Sequence, residues 1–105
     1  MVLDEQFAAR TTRYQGSMMV SICDLELVGS ELEQDGHVVS LSREYYQEHV
    51  IEPNHAHELL RKCDIANLVG QRIVSQAIAL KMAKEVSVKR ISGVPFLMIY
   101  KFQQR

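Results

Sequence analysis

Three groups of side chains in this 105-residue sequence have types and spacings suited to chemistry. The first is a set of metal-ligand types, His55-x-His57 close to Cys63, with His37, His49 and Cys23 elsewhere. Two residues apart on a helix means about 200° apart around its axis, so His55 and His57 cannot face one ion, and zinc sites use tighter pairs such as C-x2-C. These histidines read as exposed side chains near a helix start, and no metal is expected. The second group is Cys23-Asp24 at the end of a β-prone run, where functional loops often begin and a thiol can serve as a nucleophile. Nothing nearby supplies a paired base, and cysteine is among the most buried residue types, so Cys23 reads first as a core side chain. A small enzymatic pocket around Cys23, Asp24, Asn67 and Gly70 is the alternative. The third is Asn67-Leu68-Val69-Gly70-Gln71-Arg72, a glycine at a helix start with Arg72 in its first turn, where exposed N–H groups attract anions. It lacks the repeated glycines of a P-loop or dinucleotide fingerprint, so Gly70 reads as a tight turn first and a phosphate approach second. No cofactor is implied.

The elements that must position these residues follow from periodicity and turn signals. Residues 1–16 read as an extension, with a frayed helix near Asp4 to Arg10 and a polar stretch ending at Gly16. Ser17 to Asp24 places Met18, Val20 and Ile22 on one face, as a half-buried strand requires. Asp35-Gly36 is a turn signal leading into a second strand near His37 to Leu41. Ser42 to Tyr46 reads as a polar-aromatic turn, and Val50-Ile51 as a short apolar pair stopped by Pro53. A helix is expected over Asn54 to Lys62, capped by Asn54 and ended by Cys63-Asp64. After the apolar run Ile65 to Val69, Ile73, Val74, Ala77, Ile78, Leu80 and Met82 recur at helical spacing. Val86 to Ile91 alternates imperfectly, Gly93-Val94-Pro95 breaks it, and a last strand is expected from about Phe96 to Phe102. Mixed elements without regular βαβ repetition imply an α+β fold, a single compact domain at 17–105 with a small, mostly antiparallel or mixed sheet packed against two helices.

Composition narrows the function classes. With 47% hydrophobic and 24% charged residues the chain is too apolar for disorder, and its length supports one modest core. No apolar run approaches the roughly 18 residues of a membrane span, and two cysteines do not make a secreted disulfide framework, so a cytoplasmic protein with free thiols is expected. The net charge of −1 hides an asymmetry. From Ser17 to Ser40 every ionised residue is acidic (Asp24, Glu26, Glu31, Glu33, Asp35). From Ile65 onward Arg72, Lys81, Lys84, Lys89, Arg90, Lys101 and Arg105 are opposed by Glu85 alone. Clustered cations suit nucleic acid through counterion release, whereas the bland alternative has the two segments facing each other or simply solvated.

The order of segments CDLELVGSELEQDG, EYYQEHVIEP, CDIANLVGQRIVSQAI and ISGVPFLMIY resembles the archaeal domain-of-unknown-function family 424 from about Met18 to Tyr100. The residues carrying that resemblance are Cys23, Asp24, Gly29, Asn67, Gly70, Arg72, Gly93 and Pro95, with Ala66 to Val74 the most specific stretch; Phe96 stands where the family tends to have a polar residue. The resemblance implies an uncharacterised protein with an RNA-linked role and no established activity. The expectation is a non-enzymatic domain contacting RNA or a ribonucleoprotein. Arg72, Lys89, Arg90, Lys81, Lys84 and Lys101 would be its nucleic-acid-binding residues, and Tyr45 and Tyr46 would stack on unpaired bases. The alternative is a protein-interaction subunit or homo-oligomer pairing through an exposed strand edge in Phe96 to Tyr100.

Overall fold

The computed structural model describes residues 5–101. Eight strands and three helices follow one another as β1 (Phe7–Tyr14), β2 (Ser17–Asp24), β3 (Glu31–Gln34), β4 (His37–Ser40), α1 (Arg43–Tyr46), β5 (His49–Ile51), α2 (Pro53–Lys62), β6 (Ile65–Val69), α3 (Gln71–Ala79), β7 (Lys89–Ile91) and β8 (Val94–Tyr100). Six strands form a sheet in the order β5-β1-β2-β6-β8-β7, and β3-β4 is a separate hairpin. Within the large sheet only β2 and β6 run parallel; the other four pairings are antiparallel. The architecture is α+β, a mixed sheet with α2 and α3 packed on one face.

Side-chain alternation divides the sheet into two faces. One carries Phe7, Ala9, Val20, Ile22, Ala66, Leu68, Leu97 and Ile99, which form the main core with Ala56 and Leu60 of α2 and Ile73, Val74 and Ala77 of α3. Part of the other face is covered by β3-β4 and α1, where Cys23 and Val69 pack with Leu41 and Tyr46, and Leu32, Val39 and Phe96 close around them.

Several sequence expectations change. The segment read as an extension is β1, paired along its whole length with β2. Phe7, Ala8 and Ala9 are buried, while Gln15 (φ 51°) and Gly16 (φ 82°) make the two-residue hairpin turn. Of the expected frayed helix, Phe7 to Arg10 is strand; Asp4 lies outside the described residues, as do Phe102 and Arg105. Ser42 to Tyr46 is more than a turn, since the Ser42 hydroxyl accepts from the Tyr45 N–H and caps α1. Helix α2 starts one residue earlier than expected, with Glu52 at the N-cap and Pro53 at N1, where its missing N–H costs nothing. Strand β8 begins at Val94 and pairs with β7 only through Val94 to Phe96, so Leu97 to Tyr100 have β6 on one side and no strand on the other among the described residues.

Candidate functional site

The register Cys23↔Val69 ends the parallel pair, so Asp24 and Gly70 leave the sheet side by side. Asp24 is buried, 2% exposed, and its two carboxylate oxygens accept the backbone N–H groups of Arg72 (2.9 Å) and Ile73 (2.9 Å). A carboxylate from β2 therefore caps α3 across the fold and satisfies the amides that would otherwise attract an anion. Burial pushes the Asp24 carboxyl upward, and the two amides and Arg72 oppose that shift. Gly70 has φ 119° and ψ 152°, and a Cβ there would lie 2.5 Å from Oδ2 and 2.8 Å from Cβ of Asp24. The glycine is required both by its backbone and by the carboxylate seated against it.

Arg72 extends the same clip. Its guanidinium donates to Glu26 (2.5 and 3.2 Å) and to the Gln6 carbonyl (2.9 Å), lies 4.0 Å from Asp24, and sits 4.9 Å above the Phe7 ring. The bond from Arg72 holds Glu26 below the usual carboxylate range. The exposed, anion-seeking Arg72 expected from the sequence is thus a half-buried tie between α3, β1 and the segment after β2.

Cys23 is fully buried, and burial, then the charges of Asp24 and Glu26, push its thiol up to about 12. A thiolate nucleophile has no support there. Asn67 points instead to Tyr46, whose phenol it hydrogen-bonds, and burial raises that phenol. Tyr46 is 5% exposed and meets Tyr45 edge-on at 4.7 Å, which leaves Tyr45 alone of that pair at the surface.

Of the remaining cations, Lys81, Lys84 and Arg90 gather around Glu85, and Lys101 stands apart from them. Lys101, at the opposite end of β6 from Arg72, donates to the Leu60 and Arg61 carbonyls and closes the C-terminus of α2. Arg90 pairs with Glu85 at 3.0 Å. Lys81 and Lys84 border a cleft of about 540 Å³ with Ile78, Met82 and Ala83. Lys89 is exposed on β7 opposite Phe96. Among the described residues no three His, Cys, Asp or Glu side chains come together as a metal site, and His37, His49, His55 and His57 are all exposed.

The uncovered part of the second sheet face is what sequence reasoning missed. Cross-strand register sets Thr12, Met19, Ile65 and Tyr100 in one row; in the next, Arg10 and Met98 are exposed at the two ends, while Ser21 is buried and Asn67 half-buried between them. Tyr14 is 71% exposed, Tyr100 54% and Met98 48%. Two hollows flank this surface, one of about 430 Å³ lined by Thr12, Tyr14, Met19 and Ile65, the other of about 390 Å³ lined by Asn67, Lys89, Phe96 and Met98. The signal was alternation at positions 10, 12 and 14 and at 96, 98 and 100, legible only once β1 is recognised as a strand.

A family model described as "Protein of unknown function (DUF424)" matches residues 12–102, most of the chain. The protein belongs to the DUF424 family. Of the residues that suggested this membership, Cys23, Asp24, Gly70 and Arg72 gather at the carboxyl end of the parallel pair, and Asn67 lies at the middle of β6. The Pro95 carbonyl joins them by accepting the Gly70 N–H at 2.9 Å, whereas Gly29 and Gly93 lie in turns. The fold is shared with the crystal structure of an uncharacterized conserved protein from Methanopyrus kandleri, at TM-score 0.76 and 19% identity over 95% of this chain and 96% of that one. No curated protein matches this chain. No helix among the described residues is long and apolar enough to cross a membrane.

Proposed function

We propose that this DUF424 protein is a non-enzymatic, cytoplasmic RNA-binding domain, acting alone or within a ribonucleoprotein, and that the uncovered sheet face is its contact surface. The observation that carries the reading is the chemistry of that face. From β1, β2, β6 and β8 it presents the Thr12 hydroxyl, the Met19 and Met98 thioethers, Ile65, the Tyr14 and Tyr100 phenols and the Arg10 guanidinium; these strands place no carboxylate on it, while Glu44, whose carbonyl accepts from Arg10, and Glu48, whose carboxylate accepts the Thr11 N–H, border it. Lys89 stands on the adjoining strand. Such a surface accepts phosphates at its rims, through Arg10 and Lys89, and bases across its middle. Of the cations read from the sequence, Lys89 keeps the phosphate role, joined by Arg10; Arg72 and Lys101 serve the fold.

Retention of total RNA on a filter at two salt concentrations tests this, with Arg10→Glu and Lys89→Glu beside the parent. The parent is expected to retain RNA at low salt and lose it as salt rises, and each reversal is expected to reduce retention. Negligible retention by the parent at low salt refutes the proposal.

A further inference from the structure

Resting on that RNA reading, we infer that the ligand of this face is unpaired RNA, with separate bases lying against Tyr14 and Tyr100. The two phenol rings stand at opposite margins of the uncovered surface, Tyr100 on β8 and Tyr14 on β1, both more than half exposed. Ile65 and Met19 lie between them in the Tyr100 row as a half-buried apolar floor. At about 4.8 Å per strand, three steps separate Tyr100 from Thr12, and Tyr14 lies two residues further along, so the Cα atoms that carry the two rings are roughly 16 Å apart. Bases that reach both rings are splayed, with further nucleotides crossing the floor between them. A duplex cannot do this, because its base faces are already stacked within the helix and it offers only edges and phosphates. Recognising a duplex would need a longer array of donors than Arg10 and Lys89 provide. The same two cations limit the phosphate contacts to about two, which for a single strand corresponds to a slope of log K against log salt near about −1.4.

Fluorescence anisotropy with a short labelled single-stranded RNA of mixed sequence, and with the same strand annealed to its complement, separates the possibilities. The single strand is expected to bind with that shallow salt slope and the duplex at least about tenfold more weakly. Tyr14→Ala and Tyr100→Ala should each weaken the single strand by about fivefold or more, whereas Tyr14→Phe and Tyr100→Phe keep the stacking face and bind nearly as the parent does. Circular dichroism of each variant reports folding, and Tyr14, the more exposed of the two, provides the test if Tyr100→Ala does not fold. Equal affinity for duplex and single strand overturns this inference and leaves the RNA reading standing, as does unchanged binding by a folded Tyr14→Ala protein. Loss of binding to both RNAs at low salt removes the RNA reading itself. A dimer in light scattering that Tyr14→Ala dissociates would assign the face to a second copy of the chain and overturn the inference.

Discussion

Replacing Gly70 by alanine adds one methyl group and should cost far more than a methyl usually does. The backbone at φ 119°, ψ 152° is a conformation that residues with a Cβ hold only under strain, about 1–3 kcal/mol. The new Cβ also overlaps the Asp24 carboxylate, which is short, buried and held by two amides, so it cannot swing aside as a long side chain would. Displacing it loses charge-assisted bonds to the Arg72 and Ile73 N–H groups, each about 1.5–3 kcal/mol, although partial relaxation will keep some of that. A total of about 3–6 kcal/mol is expected, a large part of the stability of a domain this size. Asp24→Ala alone should cost about 3 kcal/mol by leaving the start of α3 uncapped. In the double variant the overlap with the carboxylate is gone and only the 2.8 Å contact with the Cβ of residue 24 remains, so Gly70→Ala then costs its backbone strain and a small shift at that contact. Urea denaturation of the four proteins closes the cycle, and the coupling between the two sites is expected to exceed about 1 kcal/mol. Additive losses would show that Gly70 and Asp24 do not share this packing and would refute the clip.

Arg72→Ala is expected to destabilise by about 1–2 kcal/mol, mostly through its bond to the Gln6 carbonyl and its packing over Phe7, since Glu26 is half exposed and its ion pair is screened; thermal melts check this. Cys23 in the native protein should react with iodoacetamide at pH 8 far more slowly than a free thiol, and a rate equal to that of unfolded protein would contradict its burial and raised pKa. Glu26, held below its usual range, contributes stability above about 4.5 that is lost as pH falls through its native value. The stability difference between parent and Glu26→Gln should therefore be constant at neutral pH and shrink in acid. Asp24 acts with the opposite sign, its raised native value favouring the fold more as pH falls, so the subtraction against Glu26→Gln is needed to expose the Glu26 contribution.

What the sequence revealed depended on whether a segment's partners were local. Strand β2 was legible to the residue because Met18, Val20 and Ile22 declare one buried face by themselves, and α3 because Ile73, Val74 and Ala77 do the same at helical spacing. Strand β1 was not, because Arg10, Thr12 and Tyr14 face an uncovered surface and Thr11 and Arg13 lie beyond the helices, which leaves a polar stretch with Phe7, Ala8 and Ala9 at one end. Its one local clue was Gln15-Gly16 before a clear strand, a two-residue hairpin turn without the usual asparagine or aspartate. The tight turn at Gly70, its first reading, was legible, whereas the anion of its second reading is supplied by the chain itself. The carboxylate that fills the helix start comes from β2, and only the parallel register brings it there.

That register also bears on synthesis. Met18 and Asp64 are 46 residues apart and tie the starts of β2 and β6, the Met18 N–H donating to the Asp64 carboxylate at 2.8 Å. Until β6 has left the ribosome, β2 has a neighbour on only one side, and the free side belongs to a strand whose Val20, Ile22 and Cys23, fully buried in the finished fold, are then uncovered. A nascent or truncated chain ending before Ile65 therefore displays a long sticky edge to other chains, and the late closing of a non-local pair makes that interval long. Expression of such fragments should yield aggregates, and this protein's yield in the cell should depend on how quickly its last third is translated.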